Sequence, residues 1–308
     1  MPKDSKAYIV TGPTSGIGRQ AALRLGRLGT IVLVGRDPAK LEEMRKLLER
    51  RRGGRALPVV CDLSDIASVR RAASEIIALN LPLAGLVNNA GVMQMRPTKS
   101  AQGWDTTFAT NHLGPFVLTE ALMPHLPDGA NVLFVASAVE DPERQPAKRF
   151  GFRGARYISA EASARGEWKP GGSKLPGADA YATSKQCNLA TTFVFARETK
   201  RLHFNAVEPG VNAATGLGRR NATPTARFVA GVVLPLLVPL LMPFMSFLST
   251  PKRAARVIAR IVTDTSGATG IYYDERGKPK LASEQARDPA FQERVVAETR
   301  ALLATIAG

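Results

Sequence analysis

The feature that most constrains the fold is an alternation, along most of the chain, of short apolar runs with amphipathic helical patterns. Such alternation is typical of a parallel sheet covered by helices on both faces. We therefore predict an α/β fold with a doubly wound, parallel, seven-stranded sheet, in which ligands bind beyond the carboxyl ends of the strands. The predicted strands are 8–11, 31–34, 58–61, 85–87, 132–136, 203–207 and 270–273. The predicted helices are about 17–29, 38–52, 65–79, 101–126, 180–200 and 251–264.

Two segments interrupt the alternation. Residues 139–178 are rich in Gly, Pro, Arg and Lys, and residues 212–250 contain a long apolar stretch. A connection as long as the first is usually functional or mobile in a compact domain. The length of 308 residues would allow two domains, but no linker-like change of composition appears elsewhere. We therefore expect a single domain over 1–308.

The chain is strongly basic, with 42 Lys and Arg residues against 26 Asp and Glu, which gives a formal net charge of +16. Such a surplus could attract nucleic acid, an anionic membrane or an acidic ligand. The basic residues are spread along the chain and no nucleic-acid-binding motif is present, so we expect no nucleic-acid partner. A hydrophobic fraction of 44% excludes disorder as a description of the whole chain.

The few cysteines and histidines exclude other classes of site. Two Cys and three scattered His give neither a disulfide framework nor the spacing of metal ligands, so we expect no metal. The stretch before the first strand lacks the ordered regions of a signal peptide. Together these observations predict a cytoplasmic protein.

A glycine-rich turn follows the first predicted strand and precedes the first predicted helix. It reads Thr11-Gly12-Pro13-Thr14-Ser15-Gly16-Ile17-Gly18, with the spacing G-x-x-x-G-x-G. Glycines let the backbone approach a pyrophosphate, and the start of the helix offers N–H donors and a positive dipole. The motif predicts a dinucleotide site and hence a Rossmann-type fold. A plain glycine-rich turn is the alternative.

The end of the second strand indicates which dinucleotide binds. An acidic residue at this point binds the 2′-hydroxyl of NAD, but the chain has Gly35 there, followed by Arg36. A guanidinium group is suited to the 2′-phosphate of NADP. Arg36 therefore favours NADP(H), and an ordinary surface charge is the alternative.

A tyrosine and a lysine lie four residues apart in the helix predicted over 180–200. Because residues i and i+4 share one helix face, Tyr181 and Lys185 can converge. A nearby ammonium group favours the phenolate, so Lys185 is expected to lower the pKa of Tyr181. A tyrosine tuned in this way can transfer a proton at neutral pH.

Further motifs follow these in a characteristic order. They are Asp62-Leu63 after the third strand, Asn88-Asn89-Ala90-Gly91 after the fourth, Asn111 within Asn111-His112-Leu113-Gly114, Ser137 after the fifth, and Pro209-Gly210 after the sixth. With the glycine turn and the Tyr181–Lys185 pair, they make the chain resemble the short-chain dehydrogenase/reductase family over nearly all of its length.

The resemblance implies four catalytic residues. Tyr181 would be the general acid in carbonyl reduction, or the base in alcohol oxidation. Ser137 would hydrogen-bond the substrate oxygen as charge develops. Lys185 would tune Tyr181 and bind the nicotinamide ribose, and Asn111 would hold a water in a proton relay to Lys185.

The resemblance also implies a nicotinamide cofactor. Asp62 would receive the adenine amino group, and Asn88 and Gly91 would line the cofactor near the fourth strand. The complete expected cofactor-binding set is Gly12, Thr14, Ser15, Gly16, Ile17, Gly18, Arg36, Asp62, Leu63, Asn88, Ala90, Gly91, Tyr181, Lys185, Pro209, Gly210 and Val211.

The chain departs from the family pattern in places. Glu208 precedes Pro209 where a His is frequent, and Ala214 occupies the usual place of a Thr, with Thr215 one residue later. The Gly35-Arg36-Asp37 strand end, the long insert and the C-terminal tail are similar to the branch that contains retinol dehydrogenases and protochlorophyllide reductases. Cys187 resembles a Cys of those reductases, but we interpret it as a buried structural thiol.

The apolar stretch at 228–248 reads FVAGVVLPLLVPLLMPFMSFL and lies where the family places its substrate-binding lid. It is long enough to span a bilayer, but Pro235, Pro239 and Pro243 argue against a straight helix. We interpret 212–250 as a lid over a lipophilic substrate. Contact with a membrane surface is the alternative, because basic residues flank the stretch: Arg219, Arg220, Arg227, Lys252 and Arg253.

The sequence thus predicts an NADP-dependent oxidoreductase that interconverts a carbonyl and an alcohol on a lipophilic small molecule. A non-catalytic NADP-binding regulator and a membrane-surface retinol dehydrogenase-like enzyme are the alternatives. The insert at 139–178 is expected to cover the helix that many family members use to form tetramers, so we expect a monomer or a dimer.

Overall fold

The computed structural model describes residues 6–50, 54–210 and 249–306. Its centre is a seven-stranded parallel sheet in the order β3-β2-β1-β4-β5-β6-β7. This confirms the predicted doubly wound α/β sheet. The strands are β1 (Ala7–Thr11), β2 (Thr30–Gly35), β3 (Ala56–Val60), β4 (Leu83–Asn88), β5 (Asn131–Val135), β6 (His203–Val207) and β7 (Ile271–Tyr273).

Helices cover both faces of the sheet. They are α1 (Gly16–Leu25), α2 (Pro38–Arg50), α3 (Ile66–Ala78), α4 (Thr106–Phe108), α5 (Gly114–Leu122), α6 (Gln145–Arg149), α7 (Ala160–Arg165), α8 (Ala178–Glu198), α9 (Pro251–Val262), α10 (Glu284–Arg287) and α11 (Pro289–Ala304). A π-helix, Ala109–Leu113, joins α4 to α5, and 3₁₀ turns occupy Met123–His125 and Ala138–Glu140.

The central strands β1, β2 and β5 are largely apolar because both of their faces are buried. Alternate side chains enter opposite cores: in β2, Val32 packs with α3, α5, α8 and α11, whereas Leu33 packs with α1, α2 and α9. This period of two is what the pleat of a strand imposes. The apolar runs in the sequence therefore mark strands of a sheet covered on both sides.

The order of the strands reverses between β1 and β4, which lie side by side in the sheet. The chain leaves β1 toward β2 and β3, and it leaves β4 toward β5, β6 and β7. At such a switch point the crossovers diverge, so a crevice opens beyond the carboxyl ends of the two strands. The glycine turn after β1 and the Asn-Asn-Ala-Gly run after β4 meet at this crevice.

The helix predicted over 101–126 is interrupted. The π-helix widens its middle turn and contains Asn111 and His112, both fully buried. The helix narrows again at Gly114, where a Cβ would overlap the backbone carbonyl of Leu63. Single π turns inside helices occur frequently at functional sites.

The insert at 139–178 is structured, with α6 and α7 and a loop on either side of them. The buried Tyr157 hydroxyl donates to the Glu298 carboxylate of α11 at 2.7 Å, and the Ala160 N–H donates to the same oxygen at 3.0 Å. The insert is thereby tied to the C-terminal helix, which itself packs against α8.

Several predicted features lie outside the described residues. They are Val211, the place of Ala214 and Thr215, the apolar stretch 228–248 and all of the 212–250 segment except Ser249 and Thr250. Among the residues that are described, no helix combines the length and the apolar character of a membrane span.

Candidate active site

A cleft of about 740 Å³ opens beyond the carboxyl ends of β1, β2, β4 and β5. Most of the predicted cofactor residues line it, although they come from distant parts of the chain. Those that do are Gly12, Thr14, Ser15, Gly16, Ile17, Gly18, Arg36, Asp62, Leu63, Ala90, Gly91, Tyr181, Lys185 and Pro209. Gly210 directly follows the lining residue Pro209, with a left-handed φ of 72°.

The glycine turn forms one wall of the cleft and needs its glycines. Gly12 and Gly16 have φ values of 65° and 53°, in the left-handed region that favours glycine. At Gly18 a Cβ would overlap the Gly12 carbonyl, so helix α1 could not approach the turn. The residue before α1, Ser15, makes no side-chain cap. The first N–H groups of helix α1 are therefore left to bind a ligand, and a phosphate group fits this position.

A threonine hydroxyl joins the two sides of the switch point. Thr11 Oγ1 at the end of β1 accepts the backbone N–H groups of Asn89 and Ala90, both at 2.9 Å, and donates to the Val87 carbonyl at 3.3 Å. In return, Asn89 Nδ2 donates to the Thr11 carbonyl at 2.9 Å. These bonds hold the glycine turn and the wall at 89–91 at a fixed separation.

The prediction for Asn88 differs from its position in the structure. Its side chain does not line the cleft: it is buried, and Nδ2 donates to Thr119 Oγ1 of α5 at 2.9 Å. Its neighbour Asn89 reaches the cleft instead. Alternation along β4 explains the difference, because adjacent strand residues face opposite sides of the sheet.

Two cations, Arg36 and Lys40, line the cleft beyond the end of β2. Arg36 is exposed and makes no hydrogen bond or ion pair within the described ranges, so its guanidinium is available to a ligand. The adjacent Asp37 is neutralised by Lys40, whose Nζ lies 2.8 Å from its carboxylate. These contacts with Lys40 lower the pKa of Asp37. Lys40, which the sequence reasoning missed, also lines the cleft.

Asp62 lies at the same end, in a short turn after β3. Its Oδ1 accepts both the N–H and the hydroxyl of Ser64, at 2.9 and 2.7 Å. These bonds fix the carboxylate, and the second oxygen has no partner within the described chain. Leu63 beside it is buried against the core and lines the cleft.

Tyr181, Ser137 and Lys185 converge at the opposite end, as their spacing predicts. Burial raises the pKa of Tyr181 to about 12, and its hydrogen bond with the Ser137 side chain acts in the opposite direction. Burial also lowers the pKa of Lys185 to about 8. Both shifts favour the uncharged forms, as desolvation requires.

The expectation that Lys185 lowers the pKa of Tyr181 is wrong for this arrangement. The Lys185 ammonium lies 5.5 Å from the centre of the Tyr181 ring, and it donates to the Val135 carbonyl of β5 at 2.7 Å. The loss of water around the phenol therefore outweighs the influence of the ammonium group.

Asn111 lies beside this trio and holds the wall of the cleft. Its side chain accepts the Val92 N–H at 2.8 Å and donates to the Val92 carbonyl at 2.9 Å. Its Nδ2 also lies 3.1 Å from Ser184 Oγ, which donates to the Tyr181 carbonyl at 2.7 Å. The side chain thus connects the wall to the turn of α8 that carries Tyr181.

Two buried glutamates close to the site were missed. Glu140, three residues after Ser137, accepts the Ser283 hydroxyl at 2.5 Å and its N–H at 2.9 Å. Glu208, which the sequence marks only as a departure from the family pattern, pairs with Lys280 at 2.5 Å. Ser283 and Lys280 of the C-terminal segment therefore hold Glu140 and Glu208, which follow β5 and β6 beside the cleft. These pairs join residues far apart in the sequence, so only the fold reveals them.

Comparison with known proteins gives the family. A model of the family described as short chain dehydrogenase matches residues 6–146. Retinol dehydrogenase 14 from Mus musculus is 29% identical over 296 residues, which cover 90% of this chain and 79% of that protein. The family model and this relative support a short-chain dehydrogenase/reductase of the retinol dehydrogenase-like branch.

Two further likenesses agree. Polyprenol dehydrogenase from Mus musculus is 42% identical over 127 residues, which cover 41% of this chain but only 38% of that protein. A crystal structure of a short chain dehydrogenase from Shigella flexneri, complexed with NADP, superposes with a TM-score of 0.61. It is 24% identical, and the match covers 89% of this chain and 99% of that one.

These findings confirm the predicted family and its retinol dehydrogenase-like branch. They support an oxidoreductase of the class that acts on CH–OH and C=O groups. The unfilled first turn of α1 and the close-packed glycines fit the phosphates of the expected dinucleotide cofactor. Among the described residues, no cluster of His, Cys, Asp or Glu could hold a metal ion.

Replacing Thr11 by Val tests the junction at the switch point. Valine keeps the shape but removes the acceptor of the Ala90 N–H and one of the two acceptors of the Asn89 N–H, so we expect a loss of about 1–3 kcal/mol in the free energy of unfolding. Thr30→Val is the matched control, because Thr30 is also a buried strand threonine and its hydroxyl makes no hydrogen bond within the described chain. Equal losses in urea denaturation would contradict the assignment.

Proposed function

We propose that the protein is an NADP(H)-dependent oxidoreductase that interconverts a carbonyl and an alcohol on a lipophilic small molecule. The observation that carries the proposal is the convergence of Tyr181, Ser137 and Lys185 at one end of a cleft whose other end is built for a dinucleotide. Rossmann-type folds serve many functions, so the argument depends on these side chains.

The cofactor lies along the cleft in this proposal, with its phosphates at the glycine turn and the first turn of α1. Arg36 binds the 2′-phosphate, since its guanidinium is free and Lys40 neutralises the neighbouring Asp37. The free oxygen of Asp62 receives the adenine amino group. When bound, the cofactor supplies or accepts the hydride.

Tyr181 moves the proton. Because its pKa is raised to about 12, it is protonated at neutral pH and can donate a proton from its hydroxyl to the oxygen of a carbonyl substrate. The Ser137 hydroxyl hydrogen-bonds the same oxygen and stabilises the charge that develops on it. In alcohol oxidation the same groups act in reverse, and Tyr181 takes the proton.

Lys185 and Asn111 support this step. The Lys185 ammonium is held by the Val135 carbonyl, where it can bind the nicotinamide ribose and return a proton toward Tyr181. Asn111 keeps the cleft wall in place through Val92. One acceptor position of its backbone carbonyl remains for the water of the proposed relay, since a carbonyl oxygen has two lone pairs.

The substrate is lipophilic in this proposal. The cleft wall beyond Gly91 is lined by Val92, Met93 and Met95, and methionine adapts to irregular apolar ligands. Relatives named polyprenol dehydrogenase and retinol dehydrogenase fit such a substrate. The apolar composition of 228–248 fits a lipophilic substrate, and contact of this stretch with a membrane surface is the alternative.

Tyr181→Phe tests the mechanism. The variant should bind NADPH as the wild type does and lose turnover by a factor of at least about 100, which is typical for removal of a general acid. Binding is followed by tryptophan fluorescence, and turnover by NADPH oxidation with retinal, a long-chain aldehyde, a quinone and a steroid ketone. Tyr272→Phe is the control, since this buried hydroxyl has no partner within the described residues. Full turnover by Tyr181→Phe would refute the role of Tyr181, and binding without turnover in the wild type would favour the non-catalytic regulator.

Arg36→Ala tests the cofactor preference. Losing a charge-assisted hydrogen bond to the 2′-phosphate should weaken NADPH binding about tenfold or more and leave NADH binding nearly unchanged. Titration of both cofactors against wild type and variant measures this. Arg27→Ala, which removes an equally exposed charge on the far end of α1, should change neither affinity. Equal losses for NADPH and NADH would remove Arg36 from the account.

A further inference from the structure

A chain of buried polar side chains links the C-terminal helix α11 to Asn111. Thr299 Oγ1 of α11 lies 3.0 Å from His112 Nε2, and His112 Nδ1 lies 3.2 Å from Asn188 Oδ1 of α8. Asn188 Nδ2 in turn donates to the backbone carbonyl of Asn111 at 3.0 Å. All four residues are at most 2% exposed.

The donors and acceptors from Asn111 to His112 allow only one direction. The Asn111 carbonyl can only accept, so the amide nitrogen of Asn188 faces it and the amide oxygen faces His112. His112 must then carry its proton on Nδ1, and its Nε2 shares the single proton of the Thr299 hydroxyl with the Val295 carbonyl, which lies 2.7 Å from that hydroxyl. Burial lowers the pKa of His112 to about 4, so the ring is neutral at physiological pH.

This row of hydrogen-bonded side chains ends at Asn111, beside the active site. Asn111 lies in the π-helix, whose wider turns break the regular helical pairing, and its carbonyl is held by the Asn188 side chain. The Asn111 side chain binds Val92 of the cleft wall and reaches Ser184, which contacts the Tyr181 carbonyl. A rotation at Asn111 would therefore displace both the wall and the turn of α8 that carries Tyr181.

Packing alone does not require a histidine or the other polar side chains at these positions. His112 lies between two phenylalanine rings, with centroid distances of 5.2 Å to Phe108 and 5.9 Å to Phe116. A third aromatic hydrocarbon would suit these surroundings, and buried polar groups add little net stability compared with apolar groups of the same shape. A fully paired polar network does, however, specify one arrangement of its members.

We propose that His112 is a positioning residue for the reaction, which sets the orientation of Asn111 through Asn188 and is itself set by Thr299 of the C-terminal helix. This inference rests on the proposed function, in which Asn111 supports proton transfer beside Tyr181 and Lys185. It gives α11 a role in the geometry of the active site in addition to its packing against α8.

Substitutions with a matched control test the role in catalysis. His112→Phe keeps the aromatic packing but leaves the Asn188 oxygen unpaired, and it should lower kcat about fivefold to twentyfold with little change in KM. Thr299→Val should lower kcat about threefold to tenfold. The control is Thr191→Val, since Thr191 is equally buried and, like Thr299, bonds the carbonyl four residues before it, but it does not touch His112.

Two further variants separate positioning from general damage. The double variant His112→Phe/Thr299→Val should turn over no more slowly than His112→Phe, because Thr299 acts only through the imidazole. His112→Asn places an amide near the position of Nδ1 and should recover part of kcat. If Thr299→Val and Thr191→Val lose equal stability and retain equal kcat, the positioning role is refuted.

Nitrogen NMR of the histidine-labelled protein tests the chain without any turnover. The sequence has only three histidines, and substitution of His125 and His203 assigns the third. We expect neutral His112 with its proton on Nδ1 from pH 5 to pH 8, and a shift of the Nε2 resonance in Thr299→Val, which removes the hydrogen bond at that nitrogen. A proton on Nε2, or a charged ring at pH 7, would overturn the inference. Because this readout needs no substrate, it separates failure of the inference from failure of the proposed function.

Discussion

The hydroxyl of Thr11 at the switch point is the contact on which the rest of the site depends. Strands β1 and β4 are neighbours in the sheet, yet their crossovers lead away in opposite directions. This divergence opens the cleft, and it would also let the two strand ends separate. The bonds from Asn89 and Ala90 to Thr11 keep them together. The glycine turn and the Asn89–Ala90 segment are thus packed against each other, and both line the cleft.

Burial governs the chemistry at the other end of the cleft. Desolvation raises the pKa of Tyr181 to about 12 and lowers that of Lys185 to about 8, so at neutral pH Tyr181 is uncharged and Lys185 is still mostly protonated. A neutral tyrosine beside a substrate oxygen is ready to donate its proton. The hydrogen bond from Ser137 opposes the rise in the pKa of Tyr181, and the Val135 carbonyl holds the Lys185 ammonium in place.

Much of this could be predicted from the sequence, because local patterns carry it. Continuous apolar runs gave all seven strands, and the spacing of Tyr181 and Lys185 placed them on one helix face. The side-chain direction of Asn88 was wrong, because a run of two asparagines does not show which one faces the cleft. The π-helix at Asn111 was missed since its cause is packing between distant elements: Gly114 against Leu63, and His112 against α8 and α11. The buried pairs of Glu140 and Glu208 are likewise formed with residues far along the chain.

The pH dependence of the two reaction directions tests the central claim most directly. Oxidation needs the Tyr181 phenolate, whose fraction grows as the pH approaches the raised pKa, so kcat/KM for oxidation should rise with pH from 6 to 9. Reduction needs the protonated phenol, so its kcat/KM should stay flat up to about pH 8 and fall above that value as Lys185 loses its proton. An oxidation rate that is flat or falls over this range would contradict the assignment of Tyr181 as the group that moves the proton.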